Sequence, residues 1–318
     1  ACDYLMADRD EEFRNAWFSS EKYTPAGIVS GLSLYDSLKN KKQPECLPLP
    51  WTALQDLTYG LRRGEMWTIT AGSGMGKTQV LRELAYHIQH NSEDNIGMMF
   101  FEEPLDDSAR GMLSLGANKP LHLPTTEITG EEFDEAFKNT LGSDRYHFFE
   151  SFGSTNIDAV ISAIRYLALG CDCKYIFLDH ISILVSDQSQ GDERKALDEI
   201  ATKLKTLTIE LNIWLGMVSH SKRPSGKSHE EGGQTSLSEL RGTAGIGQLS
   251  NMVLGLERDG QNPDPTIRNT TLIRVLKNRF SGLTGPSTYL HYDRDTSRLT
   301  ETFPDDIEEG IEEFEELT

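Results

Sequence analysis

Ala71-Gly72-Ser73-Gly74-Met75-Gly76-Lys77-Thr78 is the stretch that decides the fold. Met66 to Ala71, just before it, reads as an apolar strand, and Lys77 to His90 shows helical spacing. A glycine-rich turn between a strand and a helix is a P-loop in its required context. Its glycines let backbone N–H groups turn toward phosphate oxygens, and the helix N-terminus adds its dipole. Gly72, Ser73, Gly74, Met75 and Gly76 form that cradle. Lys77 is placed for the β- and γ-phosphates, and Thr78 for a Mg²⁺ ion. The strict motif opens on glycine where this chain has Ala71.

Outward from this point the chain alternates apolar runs with amphipathic ones. Strands are expected at 96–101, 146–149, 175–178 and 213–218, and helices near 106–116, 131–140, 156–169 and 193–211. That rhythm specifies an α/β fold, a mostly parallel central sheet with helices on both faces. Candidates at 252–257, 271–277 and 288–292 suit an antiparallel edge. Residues 1–24 read as a helix carrying Met6, Phe13 and Trp17, broken at Thr24-Pro25-Ala26-Gly27. One such helix cannot bury its own apolar face, so it must dock on its own domain or on a neighbour. Residues 30–50 read as loop with one helical turn.

The 318 residues carry 31 Lys plus Arg against 50 Asp plus Glu, a net charge of −19. That excludes a protein coating nucleic acid with its whole surface, but not one holding it with a few basic loops. Residues 301–318 hold nine acidic and no basic residues, leaving −10 for residues 1–300. Ile307, Ile311, Phe314 and Leu317 mark one helical face in this tail, which is either a solvated tail or a partner-docking peptide. Cys171 and Cys173 are too few for a disulfide framework, so reduced thiols and a cytoplasmic location are expected. No apolar run is long enough to span a membrane. Ala1-Cys2-Asp3-Tyr4 lacks an initiator Met and a signal pattern, as in a piece of a longer chain.

Asp179 ends the strand Tyr175-Ile176-Phe177-Leu178, where a carboxylate can join the Mg²⁺ shell beside Thr78. Glu102 and Glu103 close another strand, and either carboxylate can serve as general base for water attacking a γ-phosphate. His220 ends a third strand, where an imidazole can contact the γ-phosphate; a histidine satisfied at a strand end is the bland alternative. Lys222, Arg223 and Lys227 lie in a Gly/Ser loop suited to backbone phosphates or simply to solvent. Arg241-Gly242-Thr243-Ala244-Gly245-Ile246-Gly247-Gln248 is a second unusual segment. Arg279 can be an arginine finger or a surface arginine.

Six ordered segments, Gly72–Thr78, Phe101-Glu102-Glu103, Leu178–Ser182, Val218-Ser219-His220, Leu240-Arg241-Gly242 and Leu276–Phe280, resemble the helicase half of short-tailed-phage primase-helicases. The mitochondrial helicase Twinkle and the bacterial replicative helicases are relatives. The resemblance runs from about Leu5 to about Tyr292. It implies a RecA-like P-loop NTPase core at 30–300, behind a linker helix at 1–29 and before an acidic tail at 301–318. It also implies a homo-hexamer or heptamer around single-stranded DNA. That ring would use Mg²⁺ with ATP or another (d)NTP to move 5′ to 3′ and separate strands. Lys77, Thr78, Glu102, Asp179 and the phosphate sensor His220 would serve one subunit's site, with Arg279 reaching in from the next. Arg258 and Tyr292 would sandwich the base, and Gln248 would couple nucleotide state to DNA-contacting loops at Lys222, Arg223, Lys227, Arg241 and Gly242. The linker helix would pack on the adjacent subunit, and the tail would dock a DNA polymerase. Gly247 stands where phage relatives tend to carry a basic residue. A phage source would place the chain in the bacterial host cytoplasm. Rival expectations are a strand-exchange or packaging ATPase on the same core, and a nucleotide-gated assembly module.

Overall fold

The computed structural model describes residues 6–18, 25, 27–41, 44–150, 156–185, 190–221, 227–240 and 244–307. Two compact units, Ala1–Pro44 and Glu45–Thr318, make up the chain. The first contains helix α1 (Asp10–Phe18), a 3₁₀ turn at Gly31–Leu34 and the short helix α2 (Tyr35–Lys39). Asp10, Glu11 and Glu12 open α1, where acidic side chains complement the helix dipole. The helix expected over 1–24 is therefore shorter where it is described; residues 1–5 and 19–24 lie outside the described residues. The unit boundary falls after Pro44, and the larger unit's backbone pairing begins at Cys46.

The larger unit opens with β1 (Cys46–Leu47), helix α3 (Thr52–Thr58) and β2 (Leu61–Arg62), which pairs antiparallel with β1. There follow β3 (Met66–Ala71), α4 (Lys77–Asn91), β4 (Asn95–Phe100), α5 (Leu105–Ala117) and α6 (Gly130–Lys138). Next come β5 (Tyr146–Phe148), α7 (Ile157–Leu169), β6 (Cys173–Asp179), α8 (Gln190–Glu210) and β7 (Trp214–His220). The chain closes with α9 (Ala244–Leu249), β8 (Met252–Glu257), α10 (Pro265–Asn269), β9 (Thr270–Asn278), β10 (Gly285–Tyr292) and β11 (Leu299–Thr302).

Among the described residues, nine strands form one sheet in the order β11-β10-β9-β8-β3-β7-β6-β4-β5. Strands β8, β3, β7, β6, β4 and β5 run parallel, while β9, β10 and β11 add antiparallel neighbours. Strand side chains alternate between two cores, as a period of two requires. Trp67 and Ile69 of β3, Phe177 of β6 and Trp214 of β7 pack with Leu81, Leu84 and Ile88 of α4. Met66, Ile176, Leu178 and Met217 face the other way, onto α7 and α8. Trp214 is the hub of the first core, its ring 5.8 Å from Trp67 and 5.2 Å from Phe177. Truncating such a fully buried Trp to Ala costs about 3–5 kcal/mol.

Glu301 and Thr302, counted with the acidic tail in the sequence, lie in β11. The Glu301 carboxylate accepts from the backbone N–H of Thr52 at 2.7 Å and Ala53 at 3.0 Å, and from the Thr288 hydroxyl at 2.7 Å. This acid is thus part of the folded core, and it supplies the N-terminal cap that Trp51 cannot give α3. Because the parallel strands share a direction, Ala71, Phe100, Asp179, His220 and Glu257 all end at the same edge of the sheet. A ligand crevice is expected at that edge.

Candidate active site

Gly74 and Gly76 take φ values of 70° and 85°, where a side chain would be strained, and so turn the loop from β3 into α4. Ala71 is the last, fully buried residue of β3, so the glycine missing from the strict motif lies in the strand and leaves this turn intact. Lys77 is buried, and its Nζ donates to the carbonyls of Gly72 at 2.6 Å and Ala71 at 3.3 Å. Burial pulls its pKa down, partly offset by Asp179 and Glu102. An ammonium held on loop carbonyls and short of counter-charge is well prepared to accept phosphate.

Asp179 is only 2% exposed. Its Oδ2 accepts the Thr78 hydroxyl, whereas its Oδ1 is buried with no hydrogen-bond partner among the described residues. Burial raises the Asp179 pKa, and the Thr78 hydrogen bond opposes the rise. A buried carboxylate oxygen with unused lone pairs beside a hydroxyl oxygen is the donor set of a hard divalent cation. Thr78 and Asp179 therefore fit Mg²⁺.

The two candidate bases separate cleanly. Glu103 is occupied, accepting Arg82 Nη2 at 2.5 and 2.7 Å and the Ser108 hydroxyl at 2.9 Å. Glu102 instead faces the crevice, its Oε1 lying 2.5 Å from His180 Nε2 and 3.5 Å from His220 Nε2. Burial lowers the His220 pKa, with Lys77 and His180 adding to the effect. A neutral imidazole there still carries one ring N–H that can donate to a phosphate oxygen. The donor atoms of Glu102, His180 and His220 lie within 4.8 Å of one another. Imidazole nitrogens suit a transition ion rather than Mg²⁺. In the sequence His180 is part of the segment Leu178–Ser182 but carries no role of its own, because it sits beside Asp179 with no spacing pattern to single it out.

At the far side of the P-loop, Arg258 Nη2 donates to the Gly74 carbonyl at 2.5 Å. Arg258 and Tyr292 line a cavity of about 600 Å³ together with Met75, Gly76 and His122. The two residues assigned to the base thus sit beside the loop assigned to the phosphates.

Arg279 is elsewhere. Asn278 pairs with Met252, at the start of β8, and Met252 in turn pairs with Trp67 near the start of β3. Arg279 therefore sits at the opposite edge of the sheet from Lys77, a strand length of ~16 Å away. It is exposed and donates to the Gln248 carbonyl, so Arg279 and Gln248 come together away from the P-loop. Lys277 joins them, its Nζ donating to Gly247 at 2.6 Å and Gln248 at 2.8 Å. Burial, then Arg279 and Lys205, push the Lys277 pKa down to about 8. A lysine held among cations is a place for an anion, and no sequence pattern links Lys277 to Lys205, which lies on α8. At Gly247 a side chain would press on Leu240 Cδ1 at 3.1 Å, a steric reason for glycine.

Lys222, Arg223, Arg241 and Gly242 lie outside the described residues. Lys227 is described and exposed. The segment after it is held against the nucleotide edge: the Glu230 carbonyl accepts from Gly260 N–H at 3.0 Å, and Glu231 bridges Asp259. His229 packs on Gly72 so closely that a Cβ there would meet it at 2.8 Å.

Comparison with known proteins matches the chain to a family. The model for the DnaB-like helicase C-terminal domain covers residues 47–301. A DNA helicase/primase of Enterobacteria phage T3 is 34% identical over 93% of this chain and 53% of its own length. The replicative DNA helicase DnaB of Geobacillus stearothermophilus is 22% identical over 73% of this chain and 52% of its own. The chain thus spans about half the length of these relatives. Among solved structures, an isolated ATPase domain superposes with a TM-score of 0.66 at 16% identity, covering 86% of this chain and 97% of that one. A DnaB-like replicative helicase studied with primase gives 0.68 at 16% identity, over 94% and 73% of the two chains. These likenesses establish a RecA-like fold, a mostly parallel sheet with helices. With the family model spanning most of its length, the chain belongs to the DnaB-like helicase C-terminal domain family.

Proposed function

We propose that the chain is the motor part of a replicative DNA helicase, forming a ring that hydrolyses NTP while moving 5′ to 3′ on single-stranded DNA. One observation carries this reading: phosphate and metal chemistry line one edge of the sheet, while Arg279 and Lys277 wait at the other. A chain so divided completes its site only with a second copy, whose Arg279 would enter from across an interface. The 34% identity to a phage DNA helicase/primase supports the DNA substrate.

In this reading the P-loop amides and Lys77 hold the β- and γ-phosphates. Thr78 and Asp179 would hold Mg²⁺, which would supply charge neutralisation for the phosphates. Glu102 takes the proton from the attacking water, and His220 donates to the γ-phosphate and registers its departure. Arg258 and Tyr292 bind the base, Gln248 relays nucleotide state, and Lys222, Arg223, Lys227, Arg241 and Gly242 contact DNA phosphates. The segment at 1–29 docks on the neighbouring subunit, and the acidic segment beyond β11 recruits a polymerase.

Hydrolysis measured with and without single-stranded DNA tests the reading. Stimulation by DNA that weakens with added salt is expected, since phosphate contacts release counterions. In Glu102→Gln, hydrolysis is expected to fall ~10²–10⁴-fold while nucleotide binding persists. No stimulation at any salt concentration contradicts the DNA-driven motor and favours a nucleotide-gated assembly module.

A further inference from the structure

We propose that His180 is a positioning residue for hydrolysis, pinning one oxygen of Glu102 so that the other is aimed at the attacking water. The inference rests on Glu102 being the general base. His180 is 92% buried, at 8% exposure, and is joined to the metal-binding Asp179. Its Nε2 lies 2.5 Å from Glu102 Oε1. The Glu102 side chain is the more exposed partner, at 46%. His180 Nδ1 is buried with no hydrogen-bond partner among the described residues. The tautomer protonated at Nε2 satisfies both facts: the ring N–H goes to the carboxylate, and the buried atom left over is a lone pair rather than an orphaned donor.

His220 cannot hold Glu102 in the same way. Its Nε2 is 3.5 Å from the same oxygen, at the limit of a hydrogen bond. Its ring meets that of His180 edge to face at 4.3 Å. One imidazole therefore fixes the base while the other keeps its donor for the γ-phosphate, and the ring contact spaces the two. Because His180 follows Asp179 directly, the base is registered to the strand that carries the metal ligand. A glutamate on three free torsions would lose rotamer entropy each time it aligned with water; a pinned one has lost it already. Removing the pin should slow the chemical step about tenfold and leave binding alone.

The test compares His180→Ala, His180→Gln, Glu102→Asp, Glu102→Gln and the double variant His180→Ala/Glu102→Asp. Hydrolysis is measured with single-stranded DNA and the nucleotide turned over fastest among the eight NTPs and dNTPs. His180→Ala should lose about tenfold in kcat with KM within twofold, and His180→Gln, whose amide can donate to Glu102, should recover to within threefold of the parent. In Glu102→Asp the shortened carboxylate no longer reaches Nε2, so adding His180→Ala should cost less than twofold. The same tenfold loss in both backgrounds, an unchanged kcat, or a rise in KM without loss of kcat overturns the positioning role. If His180→Ala does not fold, a His180→Gln kcat down tenfold overturns it and one within threefold of the parent supports it. Parental hydrolysis in Glu102→Gln is a separate result, removing the general-base reading itself and the inference with it.

Discussion

At the residue scale the site is organised by unmet needs. Burial of Lys77 outweighs the counter-charge of Asp179 and Glu102, and Asp179 keeps a buried oxygen without a partner among the described residues. Both needs would be answered by a Mg-nucleotide. Replacing Asp179 with Asn keeps the acceptor for Thr78 but removes the charge for the cation. Asp179→Asn should therefore still fold, and its hydrolysis should fall at least ~10²-fold, as when other electrostatic contacts to developing charge are removed. A Mg²⁺ titration checks this: the variant should need far more Mg²⁺ for nucleotide binding, and an unchanged requirement would clear Asp179 of the role. The P-loop, Asp179 and His220 were legible in the sequence because each ends an apolar strand. The choice of Glu102 over Glu103 was not legible from the two residues themselves. It depends on Arg82, one helix away, occupying Glu103.

Among the elements, those with a patterned apolar run were readable, the three-residue β5 included, and β1, α3, β2 and β11 were not. β3 and β8 run over the expected residues, and α4 extends one residue beyond expectation. Each has enough periodic apolar residues to declare its face. β1, α3, β2 and β11 do not: β1 and β2 hold two residues each and β11 four, and α3 is capped from far along the chain. Glu301 shows this best, capping α3 from about 250 positions away. Burial works against the Glu301 carboxylate, yet hydrogen bonds from Thr288, Ala53 and Thr52 outweigh it and hold the pKa below the ordinary 4.5. A depressed carboxylate pKa contributes stability above the ordinary value, and this is lost as pH falls through the folded value. Glu301→Gln should thus cost about 1 kcal/mol near neutral pH, a typical cap contribution. The thermal midpoints of the two proteins should converge as pH falls below 4.5; a constant difference would show the charge to be idle.

For the whole molecule, the decisive fact is the distance between Lys77 and Arg279. The sequence named both and expected an antiparallel strand at 271–277, but which strand β9 pairs with, and so which edge Arg279 reaches, is a tertiary property. Arg279→Ala and Lys77→Ala should each be inactive alone, a finger being worth ~10³–10⁵ in rate. Mixed together they should regain hydrolysis, because some interfaces then pair an intact Lys77 with an intact Arg279. No recovery at any mixing ratio would exclude a site shared between subunits. The net charge of −19 also finds a place at this scale. Much of it lies in the last eighteen residues, and an acidic exterior would leave the basic loops as the surface that attracts DNA.

The most direct measurement is strand separation on a forked duplex with a free 5′ tail, followed with hydrolysable and non-hydrolysable nucleotide. A DNA-driven motor should separate the strands only with hydrolysable nucleotide and only when the 5′ tail is present. DNA-stimulated hydrolysis without strand separation would contradict the helicase reading and leave a strand-exchange or packaging ATPase on the same core.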